Sequence, residues 1–133
     1  MVKPNGDIIQ DEHDATLLAK RVVLVGFARS TVVENTITVT GTGETTLLTA
    51  VTGYFLDLTA LTIANTSATG VRVDVRDATA GTVKFSFWVP ANDTRGIVFQ
   101  IPKPQSAVSN NWTVQASASV TDLRIYAQAV KML

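Results

Sequence analysis

Cysteine is absent from the 133 residues. Disulfides and thiolate metal sites are excluded with it. Histidine occurs once, at His13. Charge of one sign is also missing, because 11 Lys and Arg balance 11 Asp and Glu to a formal net charge of zero, and charged residues are only 17% of the chain. A nucleic-acid binder needs a basic patch or excess, so nucleic acid is not expected as a partner. A nearly neutral surface also repels its own copies weakly, which suits a protein that works in an assembly. No apolar run approaches the roughly 18 residues that cross a bilayer, so no membrane partner is expected. The start, MVKPNGDIIQ, has no apolar core of a signal peptide, and folding in a cytoplasm follows as the expectation.

These absences thin out the chemistry. Asp11, Glu12, His13 and Asp14 form a polar cluster with the one histidine, but zinc asks for three or four nitrogen or sulfur ligands and no second donor of that kind exists. A serine or threonine nucleophile needs a base within reach, and the only histidine stands in the N-terminal segment. Glu44, Asp57, Asp74, Asp77 and Asp93 supply carboxylates, yet most alternate with apolar residues, which predicts outward-facing positions, and no acid/base pair stands out. Gly41–Thr45, GTGET, has the look of a phosphate loop but lacks its lysine and leads into a strand pattern, so it reads as a turn. Neither enzyme activity nor a cofactor is expected. The Asn-x-Ser/Thr triplets at Asn65, Asn92 and Asn111 read as chance products of a Thr- and Asn-rich chain.

What is present is β structure. The chain holds 19 Thr and 18 Val, both stiff at χ1 and suited to a pleated surface. Residues 31–133 contain eight runs of these and of aromatics: 32–40, 45–51, 54–63, 71–77, 82–89, 96–101, 112–119 and 123–131. Alternation is clearest in VRVDVRD, where Val71, Val73 and Val75 oppose Arg72, Asp74 and Arg76. The same pattern sets Phe85, Phe87 and Val89 against Lys84, Ser86 and Trp88, and Ile125, Ala127 and Ala129 against Arg124, Tyr126 and Gln128. Turn residues fall between the runs at 52–53, 65–70, 80–81, 92–93 and 109–111, with Pro90, Pro102 and Pro104 at strand ends. Eight evenly spaced strands predict an all-β, antiparallel sandwich of jelly-roll type, with an immunoglobulin-like sandwich as the alternative. The expected core is Leu48, Leu56, Leu58, Ile63, Val73, Val75, Phe85, Phe87, Val98 and Ile125.

Residues 1–30 differ from the rest. They hold the densest charge, and DATLLAKRVVLVGF supports a short helix capped by Asp14, an extended arm ordered against a partner or, through its VVLV run, a strand. A two-part organisation follows: an attachment segment over 1–30 and a β-sandwich domain over 31–133. Leu17, Leu18, Val22, Val23 and Val25 are the interface candidates in the segment. Trp88 and Tyr126, on the polar faces of their strands, are the candidates in the domain. Trp88 and Trp112 are also the aromatics on which a sugar could stack.

The stretch Thr38–Gly81, TVTGTGETTLLTAVTGYFLDLTALTIANTSATGVRVDVRDATAG, resembles small virion proteins of tailed bacteriophages, with Thr40–Thr62 its most specific part. That group includes capsid decoration proteins, head fibres and tail accessory proteins. The resemblance implies a Thr/Val-rich β-sandwich without catalytic residues, a homotrimer, and attachment to the major capsid protein or another virion protein through an N-terminal segment. It further implies a place in the virion, with a decoration role on the capsid or, alternatively, a tail or head-fibre module that binds a receptor or carbohydrate.

Overall fold

The computed structural model describes residues 28–133. A single 3-10 turn, Arg29–Thr31, leads into eight strands: β1 Val32–Val39, β2 Thr45–Leu48, β3 Phe55–Asn65, β4 Val71–Arg76, β5 Val83–Val89, β6 Asp93–Lys103, β7 Trp112–Ala116 and β8 Leu123–Met132. They form two four-stranded sheets, β1-β8-β3-β6 and β2-β7-β4-β5. All the pairings are antiparallel. Apart from the β4–β5 hairpin, every connection passes from one sheet to the other. This is jelly-roll order, and the immunoglobulin alternative falls away.

The turns follow their residues. Positive φ occurs at Gly53, Ala80, Asn92 and Ser109, each within a stretch that the sequence marks as a turn. At Ala80 the left-handed backbone is held from outside, since its N–H donates to both oxygens of the Glu44 carboxylate at 3.0 and 2.9 Å. GTGET is therefore a structural turn whose acid ties the β1–β2 connection to the β4–β5 hairpin.

Between the sheets lies a core of Leu47, Leu48, Leu56, Leu58, Leu61, Ile63, the three valines of β4, Trp112, Leu123 and Ile125, all essentially inaccessible to solvent. A buried branched side chain of this kind contributes about 1.5–3 kcal/mol. Trp112 spans the layers, and its indole N–H donates to the Leu56 carbonyl, which satisfies its one polar atom. A bulge explains how β3 buries Leu56 and Leu58 and also Leu61 and Ile63, which differ in parity. Leu58 pairs with Ala129 and Ala60 with Gln128, so Thr59 is the extra residue, and its hydroxyl donates to the Gln128 carbonyl at 3.0 Å.

Three members of the expected core depart from it, and two of them, Phe85 and Phe87, are only partly buried and pack against its margin. Val98 is not in the core: it pairs with Ala60 on the outer face and is 80% exposed, while its neighbour Phe99 packs inward against Phe85 at 5.8 Å between centroids. The run IVFQI is apolar at both parities, so alternation does not define a face there. Pro102 sits at the end of β6 as expected, as its penultimate residue. It lies in a wide bulge, where residues 99–102 oppose Thr59 alone, so its missing N–H costs the ladder nothing.

Candidate functional site

Three of the five carboxylates singled out in the sequence, Glu44, Asp74 and Asp77, are held in structural bonds. Asp77 is buried, against the expectation of an outward-facing acid. It accepts the Ser106 N–H at 2.8 Å and faces Lys84 Nζ at 3.4 Å. Burial pushes its carboxyl up, but the bonds from Ser106 and the Lys84 ammonium outweigh that and hold it below the ordinary range. Asp74 lies on the outer face of its sheet but is covered. Arg72 grips it through two bonds of 2.8 and 3.0 Å, and Ser86 donates at 2.6 Å. Arg72 first, then Ser86, keep its carboxyl low against the cost of burial. Glu44 is lowered chiefly by the Thr113 hydroxyl, with help from the Ala80 N–H and Arg76. Each acid is engaged by its own neighbours, and none is poised as a base. Among the described residues, no three of His, Asp and Glu gather to hold a metal ion.

Two buried amides act as pins that the sequence does not announce. Asn65 donates to the carbonyls of Thr69 and Pro90 and accepts the N–H and hydroxyl of Ser67, locking the β3–β4 loop to the end of β5. At 1% exposure it is closed to glycosylation. Gln105 accepts the Leu56 N–H at 2.7 Å and donates to the Asn110 carbonyl at 2.8 Å. Gln105 reaches a partner 49 residues away, whereas Asn65 combines local bonds to Ser67 and Thr69 with the distant Pro90 carbonyl.

The candidate aromatics separate. Trp112 is fully buried, which removes it as a sugar platform. Trp88 is 62% exposed on the outer face of β5. Its ring lies over Gly70, where a Cβ would come within 2.8 Å of it. Its cross-strand neighbour is Arg72, bonded to Asp74. Tyr126 is half-buried, and its hydroxyl donates to Glu34 at 2.9 Å. Burial first, and then Glu34, raise its pKa. Leu17, Leu18, Val22, Val23 and Val25 lie outside the described residues, as does His13.

The exposed apolar surface gathers at one side of the sandwich. β5 and β6 are the terminal strands of their two sheets, and they lie together along one edge. No residue of β6 is buried. Val98 and Ile101 are 80% and 83% exposed, Ile97 is 38% exposed, and the rings of Phe85, Phe87 and Phe99 are only partly covered. Phe85 stands 5.7 Å from Phe87 and 6.4 Å from Trp112, so an aromatic chain runs from the core to this edge. Beside it the β6 bulge leaves an open groove of about 540 Å³, lined by Thr59, Ala60, Val98, Phe99, Pro102 and Gln128 among others. The opposite edge, β1 and β2, is likewise made of the terminal strands of the two sheets, but its exposed surface is polar. Its exposed residues are Glu34, Asn35, Thr36, Thr38 and Thr46, and the Asn35 side chain donates to the Leu47 carbonyl across the two sheets.

No protein-family model matches the chain, and no curated protein matches it. Among solved structures it is similar to a PirA crystal structure, at 14% identity and TM-score 0.42 over 71% of this chain and 92% of that one. It is similar to a chain of the cyanophage Pam1 capsid asymmetric unit, at 12% identity and TM-score 0.48 over 74% and 82%. A third likeness is to Bacillus endospore appendages, described as a novel family of disulfide-linked pili, at 10% identity and TM-score 0.43 over 75% and 88%.

Proposed function

We propose that this chain is a non-enzymatic structural subunit of a tailed-phage virion, an oligomeric decoration protein on the capsid surface. The observation that carries the reading is the open β5/β6 edge. A protein working alone rarely leaves residues such as Val98 and Ile101, at 80% and 83% exposure, beside three half-covered phenylalanines. Neutral charge, jelly-roll architecture and the resemblance of Thr38–Gly81 to phage virion proteins support the same class. Attachment is assigned to residues 1–30, with Leu17, Leu18, Val22, Val23 and Val25 as its contacts. Removing residues 1–27, which spares the 3-10 turn, should leave the melting transition unchanged and abolish incorporation into particles. Quantitative mass spectrometry of purified virions tests the whole reading. A copy number comparable with that of the capsid protein is expected, and absence from the particle would overturn it.

Trp88 favours a second reading, a tail or head-fibre module that binds carbohydrate. An exposed indole beside the polar Arg72, Asp74 and Ser86 offers a stacking face with hydrogen-bonding groups at its side. Glycan-array binding that Trp88→Ala abolishes, with only a few copies per particle, would favour it over decoration.

A further inference from the structure

We infer that the β6 edge is the face through which two copies of this chain associate, with their β6 strands antiparallel about a two-fold axis. The inference rests on the structural-subunit reading above and names the surface that reading uses. Among the described strands β6 pairs only with β3, so the backbone groups along its other side are unpaired there. Proteins that keep such edges monomeric cover them, shorten them, bulge them or place charge or proline along them. In β6 the bulge and Pro102 are confined to residues 99–102, and Asp93–Val98 keep a regular ladder. This edge strand is 11 residues long, and its middle, Ile97 to Ile101, carries no charge. Its charges sit at the ends: Asp93 and Arg95 at the start, already bonded to each other at 2.8 Å, and Lys103 at the finish.

That layout favours a second copy as occupant. Antiparallel alignment brings the Asp93 end of one strand toward the Lys103 end of the other, and the uncharged middle meets itself. A two-fold contact requires this self-complementarity. Zero net charge removes the general repulsion that would oppose it. The size also fits. Ile97, Val98, Ile101 and the edges of Phe85, Phe87 and Phe99 approach the roughly 300–600 Å² of the largest apolar patch on a monomer.

The absence of cysteine makes the test clean, since a single introduced thiol is the only one in the chain. Full-length Val98→Cys, mildly oxidised, should run mostly as a disulfide-linked dimer. Thr46→Cys, exposed on the opposite edge, should stay uncrosslinked. Sedimentation of the cysteine-free protein should show association that Val98→Asp abolishes. Lys103→Asp alone should weaken it about tenfold, and adding Asp93→Lys should restore it. Val98, Lys103 and Thr46 are exposed, so their variants should fold; Asp93→Lys also removes the bonds to Arg95 and Thr94, and circular dichroism checks the fold of every variant. A trimer in sedimentation with the Val98→Cys thiol uncrosslinked would overturn the two-fold contact while leaving the structural-subunit reading standing. A monomer whose thiol at this position is open to maleimide would overturn the interface. A monomer whose thiol is protected would assign the face to another segment of the same chain and overturn the proposal as well. Absence from virions together with a crosslinked Val98→Cys variant would instead count against the function and not the face.

Discussion

β8 and β6 belong to the same sheet, and both border β3, yet they are opposites. β8, ten residues long, lies between β1 and β3 and buries Leu123, Ile125, Ala127 and Ala129 on one face while Arg124, Tyr126 and Gln128 face out. β6, eleven residues long, lies at the rim and buries nothing, although Ile97, Val98, Phe99 and Ile101 make its middle as apolar as β8. Composition alone does not decide what a strand does. A strand with neighbours on both sides and one covered face must alternate, because a shift of one residue would put every apolar side chain into water. A strand at the rim, with only a narrow part of the core beneath it, is free to be apolar at both parities. It then leaves surface that a partner can cover.

Matched substitutions sharpen this contrast. The largest effect is expected on β8. Ile125→Ala empties a fully buried site beneath the centre of the sheet and should cost about 2–5 kcal/mol in denaturant unfolding. Asn65→Ala should follow, at about 1–3 kcal/mol, because buried groups of the β3–β4 loop lose the partner that satisfies them. Phe87→Ala, at the half-covered boundary between core and edge, should cost about 2 kcal/mol, below the range for a fully buried ring. A loss as large as that of Ile125→Ala would mean that the edge is more closed than described. The smallest effect belongs to Ile101→Ala, 83% exposed, which should stay within about 0.5 kcal/mol in the dissociated chain. The same residue type on the two strands should thus differ several-fold, and equal costs would erase the distinction between them.

Acid should attack both strands' surroundings through the engaged acids rather than through the edge. Glu44, Asp74 and Asp77 hold their carboxyls below ordinary values in the folded state. The unfolded chain therefore takes up protons first as pH falls. The stabilisation is complete above the ordinary carboxylate range of roughly 4 and is lost as pH drops through the lower folded values. Thermal melting should be level from about pH 7 to 5 and decline below about 4. In Asp77→Asn the decline should be shallower, starting from a less stable protein.

The contrast also explains what can be read in the sequence. All eight strands lie where the Thr/Val-rich runs place them, and among the described residues every one with positive φ lies within an anticipated turn. The core residues of β4 and β8 follow from alternation, because each of these strands has a neighbour on both sides. In β3 the spacing of three from Leu58 to Leu61, in place of two, is the trace of the Thr59 bulge. β6 offers no such handle, and alternation places Val98 on the wrong face for that reason. The pins at Gln105 and Asp77 are illegible because their partners are brought together only by the fold, and the same holds for the reach of Asn65 to Pro90, although its bonds to Ser67 and Thr69 are local. Of the interface candidates in the domain, Trp88 is exposed and Tyr126 is engaged by Glu34, whereas the apolar middle of β6 emerges only once the topology puts that strand at the rim.

The central claim, that β6 is completed by a second copy, is tested most directly by amide hydrogen exchange of the cysteine-free, full-length protein across a roughly hundred-fold range of concentration. The amides of β8 have their partners within the chain and should exchange at a rate independent of concentration. The unpaired amides of Arg95–Ile101 should become progressively protected as concentration rises. Protection of β6 that does not change with concentration would contradict the account.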